Sequence, residues 1–230
     1  RSKPDCNLMT EQLDFLYLAK VTRKDAEVAY RFHERMAANP DSHLWARPEH
    51  QIKELVDDGC VFGAWIGTDR KLVALCYVAL SDNEENWEIG GMAVDDTVKR
   101  RRIGTVLLQF ALAYMIVQEK PWTNSQRFLA HVHESNQDPR AMMEKLGFQY
   151  VGPVEVSECE NPPKWMKRNA AGKIIGDQYE FPPPSSKRIV AWFDEELDQY
   201  MKEVNVEFGL GYAYNLDDFK SDLREISEAY

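Results

Sequence analysis

Glu88-Ile89-Gly90-Gly91-Met92-Ala93-Val94-Asp95-Asp96-Thr97-Val98-Lys99-Arg100-Arg101-Arg102-Ile103-Gly104-Thr105 is the stretch whose reading settles the architecture. It runs from a strand, through a basic turn, into the amino end of a long apolar helix. Such a turn aims several unpaired backbone N–H groups and the positive end of the helix dipole at one point. That is an anion site, and pyrophosphate is its usual occupant. Four consecutive bases, Lys99 to Arg102, add charge at the rim. Taken alone, the same run also reads as a solvated surface turn.

Working outward, residues 60–66, 72–80 and 87–94 read as three strands. The connections around Asp69 and at 82–86 are short enough to require antiparallel neighbours. Upstream, 15–21 reads as a first strand. A helix starts at Thr22, with Asp25 three residues on and Val28, Phe32 and Met36 in register, and ends near 39–40. A second helix opens at Pro48, carries Ile52, Leu55 and Val56, and stops at Gly59. Downstream come an apolar helix over 104–119, a strand over 128–133, a short helix over 139–146 and a strand over 148–156. The order β-α-α-β-β-β-α-β-α-β mixes hairpins with helical crossovers, which is an α/β (α+β) layer structure. Residues 157–177 are polar and read as an insertion, 179–181 as one more possible strand, and Pro182-Pro183-Pro184 as a stiff stop. Helical patterns over 189–204 and 216–229 then form a C-terminal extension. The chain therefore divides into a core at 14–156, an insertion at 157–181 and an acidic helical extension at 182–230.

Charge narrows the partners. The 230 residues carry a net charge of −10. Residues 189–230 alone hold eleven acids and three bases, a net of −8. Nucleic acid is an unsuitable partner for such a surface, and a cationic ligand suits it better. The acidic face equally serves solubility. The longest nearly apolar run, 106–117, is too short for a bilayer, which needs about 20 residues. Cys6, Cys60, Cys76 and Cys159 show no metal or disulfide spacing, consistent with a reducing, cytoplasmic setting and no metal site. The chain starts at Arg1 without a methionine, as expected if its natural N-terminus has been removed.

With its surroundings, the quoted segment resembles the GNAT acyltransferase superfamily. That pattern is a strand ending in apolar-x-Val, about five residues, then Arg/Gln-x-x-Gly-x-Gly/Ala opening a helix. Lys99-Arg100-Arg101-Arg102-Ile103-Gly104 stands in that place after Val94. A second match follows: Asn136, then Met142-Met143-Glu144-Lys145-Leu146-Gly147-Phe148, similar to Asn-x-x-Ala-x-x-Leu-Tyr-Glu-Lys-x-Gly-Phe. The resemblance covers about 14–156 and implies a mixed, mostly antiparallel sheet flanked by helices. It also implies an acetyl-CoA site: Met92, Ala93 and Val94 along the pantetheine arm, bound as an added strand; Lys99, Arg100, Arg101, Arg102, Ile103, Gly104 and Thr105 around the pyrophosphate; and Asn136 at the thioester end.

Two positions depart from the pattern. Arg102 replaces its first glycine: where φ is positive, arginine is strained by about 1 kcal/mol or more, and otherwise its guanidinium adds a phosphate contact. Met143 replaces the tyrosine that serves as general acid, and methionine donates no proton. Tyr150 is a nearby substitute; water, or a thiolate able to leave unaided, is the alternative. Glu88, six residues before Val94, is the candidate base for an amine acceptor, or else an exposed strand residue. His131 and His133 share a strand face and read as proton acceptors or as ordinary packed side chains. The expected activity is N-acyl transfer from acetyl-CoA to a cationic amine in a ternary complex. The alternative is a catalytically silent CoA-binding module. Trp192, Phe193 and Tyr200 in the extension offer a surface for docking a second subunit.

Overall fold

A computed structural model describes residues 15–39, 42–81, 85–99, 101–134, 136–156, 166–211 and 214–230. Eight strands form one sheet: β1 (Phe15–Lys20), β2 (Val61–Ile66), β3 (Lys71–Leu80), β4 (Trp87–Val94), β5 (Phe128–Val132), β6 (Gln149–Glu155), β7 (Ile175–Phe181) and β8 (Asn205–Gly209). Their spatial order is β6-β7-β5-β4-β3-β2-β1-β8. Only β4–β5 and β1–β8 are parallel. The mixed, mostly antiparallel sheet matches the expectation from sequence.

Helices cover both faces. On one side lie α1 (Ala26–Ala37) and α2 (Glu49–Asp57), packed on Leu75, Trp65 and Ala93. On the other lie α3 (Ile103–Glu119), α4 (Gln137–Leu146), α5 (Ser186–Ala191), α6 (Leu197–Glu203) and α7 (Leu216–Glu228). The α3 helix packs on β2, β3 and β4 beneath, and on α5 and α7 outside. This explains why 106–117 is apolar on every side: a helix covered all round has no face to leave polar.

The C-terminal region departs from the purely helical reading. Val206 and Phe208 alternate with Asn205 and Glu207, and this short segment pairs in parallel with β1 as an edge strand. The possible strand at 179–181 is longer, Ile175–Phe181, and lies between β5 and β6. The expected docking aromatics are used within the chain itself. Trp192, Phe193 and Tyr200 are all buried, with Phe193 against Phe208 and Phe219. They therefore do not form an external surface. No helix of the described residues is long and apolar enough to cross a membrane.

Candidate active site

The sheet opens at its centre. β4 and β5 pair only at Trp87–Phe128, Glu88–Leu129 and Ile89–Ala130. On its other edge β4 stays paired with β3 as far as Val94. Among the described residues, the edge of β4 that faces β5 therefore has no strand partner from Gly90 to Val94, and its backbone groups can take an extended ligand. Met92, Ala93 and Val94 lie on this edge. A bulge drives the divergence: Ala93 pairs with Leu75 and Gly90 with Tyr77, so Gly91 and Met92 both face Cys76. Gly91 has φ +62°, and the Tyr77 ring lies so close that a Cβ there would sit 2.6 Å from its carbons. Glycine meets both demands.

The open edge leads to the basic turn. Asp95 caps the turn, accepting hydrogen bonds from the Thr97 amide (3.0 Å) and hydroxyl (2.8 Å) while Arg35 of α1 donates to its second oxygen (2.8 Å). Burial pushes the Asp95 carboxyl upward, but the Thr97 and Arg35 hydrogen bonds outweigh it and hold it below the ordinary range. The first helical bond of α3 runs from the Val106 amide to the Arg102 carbonyl. The amides of Ile103, Gly104 and Thr105 therefore have no partner within the helix and lie at its positive end. Gly104 lets the helix approach β4, since a Cβ would sit 2.9 Å from Val94. Lys99 is exposed and paired with Asp96. Arg101 flanks the turn, its carbonyl accepting from the Tyr200 hydroxyl. Arg100 lies outside the described residues.

Arg102 settles one of the sequence alternatives. Its φ is +64°, so the strained conformation is the real one. Its guanidinium is not aimed at the turn: Nη2 donates to Glu196 of the C-terminal extension (2.9 Å) and the group sits beside the Tyr200 ring. Among the residues of the turn, the Arg102 side chain is therefore committed to the extension, and what it offers an anion is its backbone.

At the point of divergence stand Glu88 and His131. Paired residues share a sheet face, which puts Glu88, Leu129, His131 and Gln178 on the α1–α2 side. Glu88 Oε1 is 3.3 Å from His131 Nδ1, and His131 Nε2 is 3.2 Å from Gln178 Oε1. The His131 hydrogen bond holds the Glu88 carboxyl below its usual value against burial, with the Arg47 charge contributing less. Glu88 is thus an ionised carboxylate at neutral pH, its side chain 42% exposed. His133 lies just past β5 and stacks on His43 of the α1–α2 connection at 5.2 Å.

Tyr150, the substitute acid offered by the sequence, sits at the sheet edge. It lies on the edge strand β6, in the row Ile89–Ala130–Tyr179–Tyr150, on the sheet face opposite Glu88. It is 51% exposed, and its hydroxyl donates to Asp177. The reason is the insertion of β7, which leaves two strands, β5 and β7, between β6 and β4. The sequence reading missed Tyr179, which takes the inner place in that row, with its hydroxyl oxygen accepting from Arg140 Nε of α4 at 3.0 Å. Met143 is buried in the core under α4. Asn136 stands at the amino end of α4, just beyond the opening.

No metal-ligating group of three or more His, Cys, Asp or Glu side chains occurs among the described residues. Burial pushes the Cys76 thiol far up and the Cys60 thiol up as well, so neither is a thiolate nucleophile at neutral pH. Cys6 and Cys159 lie outside the described residues.

The sequence profile of the acetyltransferase (GNAT) family matches residues 20–148, more than half of the chain. Among solved structures, the chain is similar to the ribosomal-protein-S18-alanine N-acetyltransferase of Escherichia coli: TM-score 0.50 and 16% identity, covering 73% of this chain and 94% of that one. A ribosomal-protein-S5-alanine acetyltransferase from Vibrio fischeri aligns with TM-score 0.52 at 12% identity, covering 71% and 91%. A spermidine N-acetyltransferase chimera from Vibrio cholerae and hSSAT aligns with TM-score 0.50 at 14% identity, covering 75% and 96%. At these identities the likeness is one of fold. No curated protein matches the sequence at a significant level.

Proposed function

The chain belongs to the acetyltransferase (GNAT) family, and we propose that it is an N-acetyltransferase moving an acetyl group from acetyl-CoA directly to an amine. The observation that carries this reading is the early end of β4–β5 pairing, at Ile89–Ala130, with an open strand edge that leads straight to the amino end of α3. The edge suits the amide-bearing pantetheine arm, and the Ile103, Gly104 and Thr105 amides suit its pyrophosphate.

Amine attack needs a neutral nucleophile. A lysine-like amine, with pKa ~10.4, is neutral about once in 2,500 at pH 7, a deficit of roughly 4.6 kcal/mol. Glu88 is the group placed to draw in the ammonium, and its contact with His131 adds a second proton site. An imidazole is a better proton acceptor than a carboxylate. With Met143 at the acid position, the leaving sulfur is protonated by water or departs as thiolate. Among the described residues the two cysteines, Cys60 and Cys76, have thiols raised by burial, which favours direct transfer over an acyl-enzyme on either.

The test is calorimetric titration with acetyl-CoA, for the native protein and for Arg100→Glu/Arg101→Glu, followed by acceptor-dependent release of CoA thiol over an amine panel. Binding abolished by charge reversal, with thiol release slowed by Glu88→Gln, is the expected result. Binding without acceptor-dependent release would identify the silent module instead, and absence of binding would remove the functional reading altogether.

A further inference from the structure

We infer that the acceptor carries a carboxylate a few bonds from its amine, and that Arg47 receives it. This rests on the acetyltransferase reading and specifies its acceptor. Arg47 precedes α2 on the Glu88 side of the sheet. Its Nε and Nη2 donate to the Tyr77 hydroxyl at 3.2 and 2.8 Å, and Nη1 donates to Gln51 at 3.3 Å. The guanidinium also lies 4.8 Å from the Tyr77 ring centre. Tyr77 is the side chain that covers the Gly90–Gly91 bulge, so Arg47 is held over that bulge, on the strand that borders the opening between β4 and β5. Its backbone is fixed too: the Arg47 amide lies 3.1 Å from Nε2 of the fully buried His33.

Every one of these partners is neutral. Among the described residues Arg47 has no carboxylate within ion-pairing distance, whereas Arg31, Arg35, Arg102 and Arg224 each have one. The Arg47 charge reaches Glu88 through space without an ion pair, so this rigidly held, half-buried guanidinium is left to form its ion pair with a ligand's carboxylate. Three of its five N–H groups are used. The remaining two, one on each terminal nitrogen, suit a bidentate carboxylate. Arg47 and Glu88 thus present a positive and a negative group on one side of the opening, complementary to an ammonium and a carboxylate on one small molecule. The acidic helices argue for nothing different, because α5, α6 and α7 pack on the other face of the sheet.

The experiment compares paired acceptors by kcat/KM: free amino acids against their amides, and dipeptides with N-terminal Asp against the same dipeptides with Asn. The free acids and the Asp dipeptides separate a free amino acid from an acidic peptide terminus as the source of the carboxylate. The native protein is expected to favour the acid in at least one pair by tenfold or more. In Arg47→Gln that ratio should fall at least tenfold, with Arg47→Lys intermediate. The ratio is unaffected by loss of folded protein, and Arg47→Lys stands in where the glutamine variant does not fold. Equal use of acid and amide, a preference that survives in Arg47→Gln, or thiol release only with amines lacking a carboxylate would each overturn the inference while leaving the acetyltransferase reading intact. No thiol release with any amine would overturn both.

Discussion

Glu88 Oε1 lies 3.3 Å from His131 Nδ1, two residues beyond its own register partner Leu129, where β4 and β5 begin to part. The contact fixes the carboxylate's orientation and keeps it ionised. Because the hydrogen bond from His131 is the main cause that lowers the Glu88 carboxyl, its removal should let that pKa rise towards the ordinary value. Protonated Glu88 is inactive as a base, so in His131→Asn the acid limb of kcat/KM should move to higher pH. Glu88→Gln should lower kcat by about a hundredfold or more. A pH–rate profile of the three proteins checks both, and an unmoved acid limb in His131→Asn would separate the histidine from the chemistry.

The positive φ of Arg102 costs about 1 kcal/mol, and its exposed pair with Glu196 returns about as little. Arg102→Gly should therefore leave stability within about 1 kcal/mol of native, by urea unfolding. Acetyl-CoA affinity should stay within about threefold, because the backbone amides and not this guanidinium face the anion. A loss of affinity much beyond that in calorimetry would return the side chain to the phosphate.

Gly91→Ala should fail for two reasons at once: φ is +62°, and the new Cβ would sit 2.6 Å from the Tyr77 ring. The expected cost is about 1–3 kcal/mol in chemical unfolding. Activity should fall further than stability, since displacing Tyr77 also displaces Arg47. A variant of native stability and rate would show that the bulge is adaptable.

His33 is fully buried, and burial foremost lowers its pKa to about 4. The unfolded ring protonates near its ordinary value of about 6.5. Below that pH the unfolded state takes up a proton that the folded state refuses, so stability is complete above pH 6.5 and is lost as pH falls towards 4, by up to about 3 kcal/mol. In His33→Gln, neutral at every pH, this part of the decline should disappear. Melting temperatures of both proteins between pH 7 and 4 test it; parallel curves would exclude His33 as the source.

The basic turn, the apolar helix after it and the alternating segments before it were legible in the sequence because each follows from local periodicity and backbone chemistry. Residues 87–94 form a strand and the 103–105 amides stand at the start of a helix, both as the residue order implies. Two strands were less legible. β8 spans only five residues between helical patterns, and β7 follows a long polar insertion, so neither carries a long periodic signal. That β7 pairs between β5 and β6 depends on contacts between residues far apart in sequence. This one pairing carried Tyr150 to the sheet edge and brought Tyr179 inward. Likewise, no local pattern reveals that Trp192, Phe193 and Tyr200 close the chain's own core, that Glu196 engages Arg102, or that Arg47, more than forty residues before the basic turn, comes to rest on Tyr77 over the Gly90–Gly91 bulge. Residue order alone carries the elements over 15–156, the basic turn and the choice of Glu88 as candidate base. Which side chains face the opening is set by tertiary contacts, because strand order and sheet position arise from long-range packing and not from the spacing of neighbours along the chain.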